Sequence, residues 1–157
     1  HVRQDAIKAL AQLGSGEAFA VLQNALMAGT ASSSTILQQL ISLREEIAVP
    51  LLCYVLSHSV ARGRPVDIHT QIIEALGALG PRAESIQALR EALYRGNWWA
   101  PFRTATKRRA AALALRRIGS PDARAVLEDA RRQGSRGVRN AARALARSEP
   151  RREEKRA

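Results

Sequence analysis

ALAQLGSGEAFAVLQNA, residues 9–25, returns as ALRRIGSPDARAVLEDA at residues 114–130, and this recurrence decides the fold. Leu10 matches Leu115, Gly14 matches Gly119, Ala18 matches Ala123, and the pair Val21-Leu22 matches Val126-Leu127. A third copy, ALGALGPRAESIQALREAL at 75–93, keeps the leucines and the glycine and adds one residue after them. A degenerate copy, QLISLREEIAVPLLCYVL at 39–56, has Arg44 in place of the glycine, and the half-copy VRNAARALAR closes the series.

Each copy reads as a helix stopped by glycine, a tight turn and a second helix. Glycine supplies the left-handed conformation that ends a helix without steric penalty. Pro, Asp or Glu just beyond it suits a helix start, where a missing N–H is harmless and negative charge meets the dipole. Apolar residues recur three and four apart, so each helix buries one stripe. The pattern predicts helix pairs at 2–13 and 17–28, 33–43 and 45–57, 67–79 and 82–95, and 104–118 and 121–133, then a lone helix at 136–147. One such pair cannot bury its own apolar face, so stacked neighbours must supply the core. The expected architecture is all-α, about four and a half helix pairs over residues 1–147, followed by a polar, disordered tail at 148–157.

The repeats resemble HEAT repeats of the short bacterial type first associated with phycobilin lyases. VRQDAIKALAQLG at the start is similar to that family's opening helix, and AVPLL at 48–52 to the second helix of a HEAT unit. The resemblance implies a right-handed α-solenoid, usually non-catalytic, that binds proteins along an extended surface. It also implies that some members bind nucleic acid, and that one branch acts as DNA glycosylases.

Composition agrees with an all-helical domain. Of 157 residues, 46% are apolar and 25% charged, which is globular, and only 4% are aromatic. The single cysteine, Cys53, excludes an internal disulfide and a multi-cysteine metal site, and its apolar setting points to an inert buried thiol. The apolar run around it is far shorter than the ~20 residues of a membrane span. HVRQDAIKAL opens the chain in helical rhythm, with neither an initiator methionine nor a signal peptide, so the chain reads as a portion of a larger bacterial protein with cytoplasmic residence as the default.

The net charge of +11 is unevenly placed. Residues 1–80 carry five Lys/Arg against six Asp/Glu, while residues 81–157 carry twenty against eight. All but three of the basic residues are arginine, whose planar fork suits phosphate and carboxylate. The competing account is that arginine serves only as a routine surface helix former.

Leu10 to Leu40 and Leu115 to Leu145 are both 30 residues apart, whereas Leu40 to Leu76 is 36 and Leu76 to Leu115 is 39. The extra residues enter at SHSVARGRPV (57–66) and GNWWAPFRT (96–104), both connections from a second helix to the next first helix. Such insertions emerge along one edge of a repeat stack and should lie side by side. The candidate partner-binding edge is therefore Arg62 and Arg64 with Trp98, Trp99, Arg103, Lys107 and Arg108, suited to an acidic protein. In one reading the aromatic cluster is an exposed anchor or stacking platform. In the other, Trp98, Trp99 and Phe102 fold back and plug a gap between repeats.

Arg136, Arg139, Arg143 and Arg147 step by three, four and four, which sets them on one face of the last helix. That stripe could follow a nucleic-acid backbone, or be the solvated face of a terminal capping repeat. Arg124, Glu128 and Arg132 read as surface pairing. Catalysis finds little support. His1, His58 and His69 lack metal-ligand spacing, and Glu45 and Glu46 point apart on a helix. Glu91 and Asp122, the first acids on either side of the tryptophans along the chain, match no glycosylase motif. No cofactor, metal or small-molecule substrate is expected. The reading is a non-catalytic scaffold or adaptor module for protein–protein interaction, with nucleic-acid binding through the basic half as the alternative.

Overall fold

The computed structural model describes residues 2–27, 32–42, 45–58, 68–96 and 101–147. Nine helices and no strand occur among the described residues. They are α1 (Val2–Leu13), α2 (Gly16–Met27), α3 (Ser32–Ile41), α4 (Glu45–His58), α5 (Ile68–Leu79), α6 (Ala83–Tyr94), α7 (Pro101–Ile118), α8 (Pro121–Gln133) and α9 (Arg136–Arg147). Eight of these follow the sequence pattern to within two residues at each end. The exception is α7, which begins at Pro101 rather than at 104. Proline's fixed φ suits the first helical position. PFRT of the second insertion therefore lengthens a helix by most of a turn instead of forming loop.

The glycine punctuation is realised at three corners. Gly14, Gly80 and Gly119 have φ of 61°, 109° and 65°, each just beyond the first helix of a pair. A serine then starts the next helix in two of them. Ser15 Oγ accepts the Ala18 N–H and Ser120 Oγ the Ala123 N–H, both at 3.2 Å. These two serines occupy equivalent repeat positions, and each satisfies one donor that the first helical turn leaves without a partner. The third corner has Arg82 at this position and no side-chain cap.

Contacts between helices build two layers. α1, α3, α5, α7 and α9 stack in order in one layer, and α2, α4, α6 and α8 in the other. Between the layers runs one continuous apolar core, in which Leu22, Leu40, Leu52, Leu76, Leu89 and Leu115 are fully buried. This is the all-α stack of repeats that the spacing predicts. The expected tail at 148–157 lies outside the described residues.

α5 and α7 approach each other closely. A methyl group on Gly77 would lie 2.8 Å from Ala114 Cβ and 3.0 Å from its Cα. Ala111 and Ala112 are also fully buried in α7, so small residues let the two backbones draw together.

Candidate partner-binding surface

Charge is sorted by layer as well as by position along the chain. α7 carries Arg103, Lys107, Arg108, Arg109, Arg116 and Arg117, and α9 carries Arg136, Arg139, Arg143 and Arg147, with no carboxylate on either helix. These two helices pack against each other. In the opposite layer, α6 and α8 carry Glu84, Glu91, Asp122, Glu128 and Asp129 among four arginines. There Glu128 pairs with Arg132 at 2.9 Å and with Arg131 at 3.8 Å, the surface pairing expected of that helix. The basic excess of the C-terminal half is thus concentrated on one face.

That face has relief. An open groove of about 720 Å³ runs between α7 and α9. Thr104, Ala105 and Arg109 line one wall, and Gly137, Asn140, Ala141 and Ala144 line the other, with Tyr94 at one end. Beside it, Phe102, Thr106, Arg109, Leu113 and Arg116 form an exposed stripe on α7 at spacings of four, three, four and three. Phe102 is 88% exposed and Leu113 51%, so two apolar side chains stand in water among guanidinium groups. Phe102 therefore does not plug a gap between repeats: its place in the first turn of α7 points it outward. Trp98 and Trp99 lie outside the described residues, as do Arg62 and Arg64.

Not every basic residue on these helices faces outward. Arg108 is half-buried, and its Nε and Nη2 donate to the Leu93 and Tyr94 carbonyls at 3.2 and 3.3 Å. A side chain at Gly96 or Gly137 would run into this guanidinium. Arg139, also half-buried, donates from Nη1 to the Gly134 carbonyl at 2.7 Å. Arg95 Nη1 donates to the Ser57 carbonyl at 3.2 Å. These three arginines follow a common rule: each closes the C-terminal end of a second-layer helix, α6, α8 and α4 respectively. Cations there satisfy terminal carbonyls and meet the negative end of the helix dipole.

The consequence for the candidate residues is a division of labour. Arg103, Arg109, Arg136 and Arg143 are exposed, whereas Arg108 and Arg139 are turned to the structure. The stripe Arg136, Arg139, Arg143, Arg147 is accordingly interrupted at its second member, and the Arg147 side chain is outside the described residues. Lys107 is half-buried beside Leu56, Ser57, Glu91 and Arg95. The Arg95–Ser57 bond also joins the first residue of one insertion to the residue just before the other.

The remaining reactive groups are muted. Cys53 is half-buried, its Sγ 3.6 Å from the Glu84 carbonyl. Burial, reinforced by the Glu84 and Glu91 carboxylates, pushes its thiol up to about 12. The thiol is thus protonated at neutral pH, as its apolar setting in the sequence suggests. His58 stacks on Tyr54 with ring centroids 4.2 Å apart, and its Nδ1 lies 3.0 Å from the Tyr54 carbonyl. His69 is buried in the first turn of α5. Among the described residues, no three His, Cys, Asp or Glu side chains gather as a metal site, and no helix is long and apolar enough to cross a membrane.

Comparison with known proteins places these features. The family profile described as PBS lyase HEAT-like repeat matches residues 2–26 and again residues 107–132. The first match covers α1 and α2 and the second the greater part of α7 with α8, one helix pair each. No curated protein and no solved structure gives a significant match. Two stretches of the chain, one near each end of the described helical stack, thus match the PBS lyase HEAT-like repeat.

Proposed function

We propose that this chain is a non-catalytic HEAT-like scaffold that recruits an acidic protein partner through the α7–α9 face. One observation carries the reading: two adjacent helices carry ten basic residues and no carboxylate, and Arg103, Arg109, Arg116, Arg117, Arg136 and Arg143 among them are exposed. Such a surface attracts a negatively charged partner at long range and repels basic ones. Phe102 and Leu113 favour a protein as that partner, because apolar anchors ringed by arginine are typical of protein interfaces. They stand eleven residues apart on α7, about 16 Å at 1.5 Å per residue, a span that one short helix can cover. In the proposal Arg103, Arg109, Arg116, Arg136 and Arg143 supply the charge. Arg108 and Arg139 hold the helix ends in place beneath them. Arg62, Arg64, Trp98 and Trp99 belong to the inserted segments and extend the contact along the edge.

A second reading, nucleic-acid binding, draws support from the same absence of carboxylates and from the preference for arginine, which forks onto phosphate. The two readings separate in a direct titration. Fluorescence anisotropy at low salt would compare an acidic helical peptide bearing leucines with a random-sequence DNA duplex and a single-stranded RNA. Saturable binding of the peptide, retained at physiological salt, is the expected result. Binding of nucleic acid alone, with affinity falling steeply as salt rises, would replace the first reading by the second. Absence of binding to all three probes would refute both.

A further inference from the structure

Arg108 is tied to the protein along one edge of its guanidinium only. Nε and Nη2 donate to the Leu93 and Tyr94 carbonyls, which occupies the side edge. The end edge remains, with one N–H from each of Nη1 and Nη2 running parallel. That pair is the one that grips an oxyanion by two bonds. The guanidinium lines the groove between α7 and α9, where two glycines leave it room. A methyl group at Gly96 would run into Nη2, and one at Gly137 into Nη1. Neither glycine has a positive φ, so the backbone does not call for glycine at either place. Gly137 also gives up helix propensity that alanine would supply within α9. What both positions provide is the space around the Arg108 end edge.

The rest of the lining suits an anion. Arg109 on α7 and Asn140 on α9, both exposed, border the groove from its two walls. Among the described residues, no carboxylate lines it. Two guanidinium charges are thus gathered with one amide donor and no internal counter-charge. A single carboxylate would match only one of those charges. A phosphomonoester brings about −1.5 to −2 at neutral pH, with three strong acceptor oxygens.

We propose that the α7–α9 groove binds a phosphorylated serine or threonine carried by the acidic partner. The end edge of Arg108 takes two phosphate oxygens, and Arg109 and Asn140 donate from the sides. Gly137 and Ala141 put no long side chain on the α9 wall, so the partner's backbone can come near enough for a short phosphorylated side chain to reach Arg108. This inference rests on recruitment through the α7–α9 face and adds a condition to it: phosphorylation of the partner strengthens the contact.

Fluorescence anisotropy at fixed ionic strength tests this with three forms of one acidic helical peptide. One carries serine, one phosphoserine, and one a pair of aspartates that matches the phosphoserine in charge. Phosphoserine should bind about tenfold tighter than serine and several-fold tighter than the aspartate pair. Asn140→Asp sets a carboxylate beside the phosphate, and Gly137→Ala displaces the Arg108 guanidinium. Each should erase the phosphoserine preference with circular dichroism unchanged, whereas Arg124→Glu on α8 should keep it. Equal affinity for the phosphoserine and aspartate forms would overturn the proposal and leave the recruitment reading standing. A preference that survives both groove substitutions would put the phosphate elsewhere and overturn it as well. Binding of none of the three peptides would overturn the proposal and the recruitment reading together. A DNA duplex that binds instead of the peptides, and weakens with the same two substitutions, would assign the groove to a nucleic-acid backbone and overturn it too.

Discussion

Replacing Gly77 by alanine sets two known effects against each other at a place where the structure says which wins. Alanine in a helix interior is favoured over glycine by about 1 kcal/mol. At Gly77, however, the new methyl would sit 2.8 Å from Ala114 Cβ and 3.0 Å from Ala114 Cα. Carbon atoms in contact prefer about 3.5–4.0 Å, so α5 and α7 must separate by roughly 0.7 Å or more. Overpacking of this kind typically costs about 1–3 kcal/mol. The expected net effect is a loss of about 1 kcal/mol, or roughly 2–4 °C in Tm for a chain of this size. Urea unfolding followed by circular dichroism would measure it. The double variant Gly77→Ala/Ala114→Gly removes the nearer clash, so its stability should exceed the sum of the single effects by about 1 kcal/mol. Were Gly77→Ala to stabilise the protein by the full helix-propensity gain, the close approach of α5 and α7 would be wrong.

Three further predictions concern the caps and the thiol. Ser120→Ala removes the acceptor for the Ala123 N–H and should lower stability by about 1 kcal/mol in the same unfolding assay. Arg108→Ala removes two charge-assisted bonds to the end of α6 and should destabilise by about 1–3 kcal/mol, while Arg109→Ala, on the exposed stripe, should leave stability nearly unchanged. Cys53 has its thiol pushed up to about 12, so its thiolate is scarce at pH 8 and grows as pH rises toward that value. Alkylation by iodoacetamide at pH 8 should therefore run about a hundredfold or more slower than for free cysteine, and accelerate on unfolding in urea.

The helices were legible because each signal for them is local. Gly14, Gly80 and Gly119 mark the corners in the sequence and take positive φ in the structure. Leucine spacing alone placed the helix pairs and located both insertions. The extension of α7 from Pro101 was less legible, since a proline after an aromatic run reads equally as loop or as helix start. The arginine caps could not be found from spacing. Arg108 reaches carbonyls fourteen and fifteen residues before it, and Arg95 one 38 residues before it, so their roles exist only once the helices are stacked. Charge sorting was hidden for a related reason. Counting along the chain mixes α7 and α9 with the charge-balanced α8 between them, whereas the fold assigns alternate helices to opposite layers. Exposed Phe102 shows the limit of composition as evidence: an aromatic residue beside two tryptophans suggests packing, but its own helix turn faces water.

The most direct test of the scaffold account moves charge between the layers and measures binding of an acidic helical peptide. Arg109→Glu/Arg143→Glu reverses two exposed positions on α7 and α9, and Arg124→Glu/Arg132→Glu makes the same change in net charge on α8. If the α7–α9 face recruits the partner, the first pair abolishes binding, and the second leaves it within a few-fold of wild type. Equal losses from both pairs would show that only total charge matters, and would contradict a dedicated surface.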